Sequence, residues 1–203
     1  MVQSGSNELA RGMQSGQWPA DVGRQLADVQ KHFALLNQLT AAPATQTALV
    51  VAASEQADRT LLVAQTVTES IEKMAQAPSA RLVNLAGRQR MLSQRLAKNY
   101  FLNAAKVESK VVQAQLVADA ADFRQALQTL KAAPVSTPAI RSELELADSQ
   151  WLFFDSALRR PADDAGLSAV ATTSERLLGV MDKLTSLYEA ALREVLGLSL
   201  IHI

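Results

Sequence analysis

Six prolines divide this chain into long stretches, and within each stretch the apolar residues return at helical spacing. Trp18-Pro19 opens a pattern that runs to about Leu39, with Val22, Leu26, Val29, Phe33 and Leu36 on one side at about 100° per residue. Pro43 ends it. A second pattern covers 45–75 and turns Leu49, Ala52, Ala53, Leu61, Leu62, Val67 and Ile71 inward. Pro78 marks a break. Four more patterns follow, over about 79–107, 110–131, 139–158 and 165–196. The inward residues of the third-last are Val111, Leu116, Ala120, Phe123, Leu127 and Leu130. Leu144, Ala147, Trp151, Phe154 and Leu158 serve the next, and Leu167, Val170, Leu177, Leu178, Met181, Leu184, Leu187, Tyr188, Leu192 and Leu196 serve the last. No alternating run of β-branched residues bounded by turn pairs occurs, so no strand is predicted. The expectation is an all-α chain: an antiparallel up-down four-helix bundle preceded by an additional helical hairpin, because long helices on short loops must reverse direction at each turn. A short helical piece over 8–14 is also predicted. Asp163-Asp164 is read as the N-terminal cap of the last helix and Gly197 as its stop.

The stretch 84–98 differs from the rest, since cations gather there on a strongly helical background. Leu82, Leu85, Ala86, Leu92, Leu96 and Tyr100 form the core face. Gly87, Arg90, Met91, Gln94 and Lys98 lie roughly opposite, and Asn84, Arg88 and Arg95 make a flanking polar stripe. The second face combines a glycine for close backbone approach, a methionine for soft packing and an arginine one turn after the glycine. It is suited to a second helix with an anion held between. A solvated basic face is the plain alternative. Arg88 and Arg95 are expected to form salt bridges to neighbouring helices.

Residues 84–98, from Asn84-Leu85-Ala86-Gly87 through Arg90-Met91 to Ala97-Lys98, resemble the signature helix of the PilJ-type domain of type IV pili chemotaxis transducers. That family is related to NarX-like nitrate-sensing domains. The resemblance implies an extracytoplasmic four-helix bundle, often dimeric through the signature helix, that senses and does not catalyse. It implies that Gly87 and Arg90 hold a small oxyanion, nitrate or nitrite, between two subunits, with Met91 and Gln94 beside them and Asn84, Arg88, Arg95 and Lys98 as accessory positions. A guanidinium presents parallel donors that match the equivalent oxygens of nitrate. The rival reading is a structural or protein-binding bundle, associated with a receptor or a pilus component, whose Gly87/Arg90/Met91 face docks a partner helix.

An internal match accompanies this. Leu26, Ala27, Asp28, Gln30 and Phe33 recur as Leu146, Ala147, Asp148, Gln150 and Phe153, and Pro43, Ser54 and Glu69 find counterparts in Pro161, Ser174 and Glu189. The expected organisation is therefore a partial PilJ-like module over 1–77, a complete bundle over 78–198, and a vector-derived tail over 199–203. Two tandem modules in the parent protein would follow.

The remaining chemistry is sparse. Lys and Arg total 20 and Asp and Glu total 20, so no net field draws the chain to nucleic acid. There is no cysteine, which excludes disulfides and thiolate chemistry. His32 has no second ligand at metal spacing, and His202 lies in the tail. Trp18 and Trp151 read as anchors of core or loop. No phosphate loop and no nucleophile motif is visible. The chain is thus predicted to be no enzyme, to bind no metal and to carry no cofactor. It contains no apolar run long enough to span a membrane and no signal peptide, so an extracytoplasmic placement would make this a mature or excised form.

Overall fold

The computed structural model describes residues 18–41, 46–76, 78–107, 109–134 and 137–201, with the backbone alone for Ser109 and 195–201. The short helix expected over 8–14 and His202 lie outside the described residues. Six helices are present: α1 (Ala20–Ala41), α2 (Thr47–Ala75), α3 (Pro78–Ala104), α4 (Ser109–Lys131), α5 (Pro138–Leu158) and α6 (Asp164–Ile201). No strand occurs among the described residues. The chain divides into two compact units, Met1–Gln76 and Ala77–Ile203.

In the first unit α1 and α2 pair as a hairpin. Val22, Leu26, Val29 and Val67 form its buried centre, flanked by Phe33, Val63, Ala64 and Ile71. Two polar residues of α2 are buried with them. Thr60 returns its hydroxyl to the Gln56 carbonyl at 2.7 Å, and the Gln56 amide reaches His32 Nδ1 at 2.9 Å and the His32 carbonyl at 3.1 Å. His32 is thereby a packing residue of the hairpin. Leu62, expected to face inward, is 70% exposed, because the groove side of α2 at that level is taken by Thr60 and Val63.

In the second unit α3 packs against α4 and α6, and α5 against α6, while α4 and α5 touch more lightly. Ion pairs read out the antiparallel order. Arg88 pairs with Asp122 and Arg95 with Asp119, so α4 descends as α3 rises. Arg124–Asp155 and Lys131–Asp148 do the same for α4 and α5. The core is built from Leu92, Leu96 and Tyr100 of α3, Phe123, Leu127 and Leu130 of α4, Ile140, Leu144, Trp151 and Phe154 of α5, and Leu177, Met181, Leu184 and Tyr188 of α6. Trp151 stacks on Phe123 with ring centroids 4.3 Å apart and planes 15° from parallel, which bridges the lightest of the helix contacts.

The helix ends are chemically explicit. Thr137 caps α5 by accepting from the Ile140 amide at 3.2 Å, with Pro138 at the first helical position, where its missing N–H has no partner to lose. Asp163 caps α6 by accepting from the Gly166 amide at 2.8 Å, as expected from the sequence. α3 stops at Ala104 and not near Val107. Lys106 takes φ 57°, its amide donates to Asn103, and the Val107 amide donates to Leu102 at 2.9 Å. This is a Schellman termination with Lys106 in the left-handed position, and Leu102 and Val107 are both buried. α6 passes through Gly197 to Ile201, since a single glycine weakens a helix without ending it. At the start of α4 the inward residue is Val112, 3% exposed, and not Val111, 60% exposed.

The internal match does not carry a shared packing register. Leu26 is buried, whereas its counterpart Leu146 is 43% exposed; Phe33 is packed, whereas Phe153 is 62% exposed. The buried series Val22-Leu26-Val29-Phe33 has the same spacing as Ile140-Leu144-Ala147-Trp151, two residues away from the sequence match. A slip of two residues turns a helix by about 200° and exchanges its faces.

Candidate functional site

α3 presents two flanks with different chemistry. On the flank toward α4 the cations are consumed. Arg95 donates from Nε to Asp119 Oδ2 at 2.7 Å and from Nη2 to Asp119 Oδ1, a two-pronged contact on a carboxylate whose side chain is 4% exposed. Arg88 Nη2 meets Asp122 Oδ2 at 3.1 Å nearer the surface. Asn99, fully buried, donates to Gln115 at 3.3 Å. Arg95 is thus held within the bundle and Arg88 ties α3 to α4 at the surface, both as expected for salt bridges between helices.

The rim of α3 beside α6 is more accessible. A Cβ built on Gly87 would meet nothing within 4 Å. Arg90, one turn on, is exposed, and its Nη2 contacts Asp182 Oδ1 of α6 at 2.9 Å with both side chains about half in water, 46% and 58% exposed. Met91 is half-buried and packs on the core cluster, so it leaves the face on which the helical wheel had put it. The flexible thioether reaches inward from a position that the helical wheel alone places on the outer face. Gln94 is half-buried, and its Nε2 is enclosed without an acceptor. Asn84 and Lys98 are half-buried and each engages a neighbour. Gly87 and Arg90 therefore share one accessible surface, Met91 and Gln94 lie at its inner margin, and Arg88 and Arg95 stand on the other flank.

The partners of these cations were not assigned from sequence. Asp119 and Asp122 sit one turn apart on α4, and their spacing could have been matched to the two-turn spacing of Arg88 and Arg95 once the helices were taken as antiparallel. Asp182 carries no such signal. No group of His, Cys, Asp and Glu suited to a metal occurs among the described residues. No described helix is long and apolar enough to cross a membrane.

At the far end of α3, the Tyr100 hydroxyl donates to the carbonyls of Arg160 at 3.1 Å and Pro161 at 3.0 Å, pinning the α5–α6 turn to the signature helix. Burial, with the Asp163 carboxylate adding to it, raises the Tyr100 pKa, and burial alone raises that of Tyr188. Gly166 completes the turn, since a Cβ there would lie 2.0 Å from the Pro161 carbonyl oxygen and 2.8 Å from the Tyr100 hydroxyl.

A search of curated proteins and a search of solved structures gave no match to the chain. The profile of the PilJ family, described as the N-terminal region of type IV pili methyl-accepting chemotaxis transducers, matches residues 73–177. That span takes in the whole of α3, α4 and α5 with both flanks of the signature helix, and it covers just over half of the sequence. The chain belongs to the PilJ family, a helical signalling domain of chemotaxis transducers.

Proposed function

We propose that this chain is a non-catalytic, extracytoplasmic sensory domain that binds a small oxyanion, nitrate or nitrite, at Gly87 and Arg90 of two protomers paired through α3. The observation that carries the reading is the accessible Gly87/Arg90 surface, where open space over the glycine lies one turn from an arginine held only by an exposed pair. A two-fold axis through this surface would bring two Arg90 side chains to one spot. Without an anion they repel, and with one between them both guanidiniums are satisfied. Open space over Gly87 would admit the partner helix. Asp182 holds Arg90 in the single chain, yet an exposed pair of this kind is worth only about 0–1 kcal/mol, so an anion can displace it. Arg90 would then swing from α6 toward the partner and change the packing of α3 on α6. Such a small helix displacement is the kind of output a membrane-spanning transducer can transmit.

The second reading, a face that docks another protein's helix, draws on the open space over Gly87 and the half-buried Met91. Thermal-shift titrations with nitrate, nitrite, sulfate and chloride on wild type and Arg90→Ala separate the two. The sensory reading expects a nitrate- or nitrite-selective stabilisation, about 2.7 kcal/mol at a hundred times the dissociation constant, that vanishes in the variant. Stabilisation by none of the four anions, or stabilisation unchanged by Arg90→Ala, contradicts it.

A further inference from the structure

A groove of about 250 Å³ opens between the C-terminal end of α5 and the N-terminal half of α6. Its charge is unbalanced. Arg160 and Arg176 both line it, and no carboxylate does. Elsewhere in the bundle Arg88, Arg90, Arg95, Arg124, Arg159 and Arg193 are ion-paired, whereas among the described residues neither Arg160 nor Arg176 has a carboxylate partner. Two acids near Arg160 in the chain are committed elsewhere. Asp155 takes Arg124 and Arg159, and Asp163 is turned back to cap the Gly166 amide. The groove also holds a ring and a free hydroxyl. Phe153 forms one wall while 62% exposed, and Ser156 adds an unbonded hydroxyl. The Thr173 hydroxyl is spent on the Ala169 carbonyl at 2.7 Å, so its methyl and the alanines make the remaining wall apolar.

We propose that this groove is a second ligand site, distinct from the Gly87/Arg90 surface, and that it takes a small aromatic carboxylate. One guanidinium from the α5–α6 turn and one from α6 supply donors that a carboxylate accepts, with the Ser156 hydroxyl as a third donor. Phe153 and the apolar wall receive the ring, offset-stacked or edge-on. The volume lies just below the range usual for pockets of drug-sized ligands, which fits a single ring with one acidic group. An inorganic oxyanion would satisfy the arginines and leave Phe153 in water; a neutral arene would do the reverse. An aromatic acid answers both features, and by holding Arg160 to Arg176 it would clamp the end of α5 to α6.

The test is calorimetric titration of the full chain with benzoate, acetate and inorganic phosphate, on wild type, Arg176→Gln, Phe153→Ala and Arg90→Ala. Both groove residues are exposed, so these substitutions leave the core intact. Saturable benzoate binding is expected, with acetate and phosphate about tenfold weaker, and with Arg176→Gln and Phe153→Ala each lowering benzoate affinity by about tenfold. Arg90→Ala is expected to leave benzoate affinity unchanged, which keeps this site separable from the oxyanion site. Absence of benzoate binding, phosphate or acetate binding as tightly as benzoate, or benzoate affinity indifferent to Arg176→Gln or reduced by Arg90→Ala, overturns the proposal.

Discussion

Arg95 and Arg90 stand on the same helix and meet opposite fates. Arg95 lies against a carboxylate that is almost fully enclosed, and the pair is locked between α3 and α4. Arg90 reaches Asp182 across the rim of α3 and α6 with about half of each side chain in water. Two charges taken out of water tolerate no loss of a partner, because the survivor stays in a poor solvent. Two charges at the rim trade freely with water, salt and other ions. Depth, and not residue type, therefore sets Arg95, the structural pair of the α4 flank, apart from Arg88 at the surface of that flank and from Arg90 on the exchangeable α6 flank, whose pairs stay exposed.

Breaking the structural flank has the largest expected effect. Asp119→Ala removes the enclosed carboxylate that takes two donors of Arg95, whose side chain is 22% exposed, and should cost about 3 kcal/mol in urea-induced unfolding. A loss below about 1 kcal/mol would erase the distinction between the two flanks. Gly166→Ala should follow at about 2 kcal/mol, since its Cβ collides with the Pro161 carbonyl and the Tyr100 hydroxyl and the turn must open. A Tm equal to wild type would show that the turn yields without strain.

Tyr188→Phe comes next, at about 1 kcal/mol, because it removes the buried hydroxyl that donates to the Leu130 carbonyl at 3.1 Å. This residue also predicts a pH dependence. Its pKa is raised in the fold above the ordinary 10.0, so the folded state favours the protonated phenol. Its contribution is complete below about pH 10 and is lost as pH rises through the folded value. Unfolding free energies followed upward from neutral pH should fall in the alkaline range, and less steeply in Tyr188→Phe. Equal slopes would remove Tyr188 from that account. Asp182→Asn, at the exchangeable flank, should change stability by less than about 0.5 kcal/mol.

The all-α fold was legible because the prolines fall between apolar patterns of constant period, and Leu92, Leu96, Tyr100, Trp151 and Phe154 were placed correctly in the core. Errors gathered where local signals are degenerate. Val111 and Val112 are adjacent and alike, and only the pitch fixed by tertiary contact selects Val112. The end of α3 was missed because Lys106, not a glycine, occupies the left-handed position. The match of Leu26 and Phe33 to Leu146 and Phe153 carries no packing register, because identity in helical sequences does not carry a face. At the site, the pattern of α3 put Gly87 and Arg90 on one surface, and the structure keeps them there. It could not show that Met91 turns into the core or that Asp182 reaches Arg90, since both depend on how α3 packs.

The most direct measurement of the central claim is the nitrate dissociation constant of wild type, Arg90→Ala and Asp182→Asn by calorimetry at one ionic strength. If the exchangeable flank binds the anion, nitrate binds wild type, fails to bind Arg90→Ala, and binds Asp182→Asn more tightly, because the competing carboxylate on Arg90 has been removed. Nitrate bound equally by all three proteins would place the ligand elsewhere, and nitrate bound by none would take anion sensing away from this face.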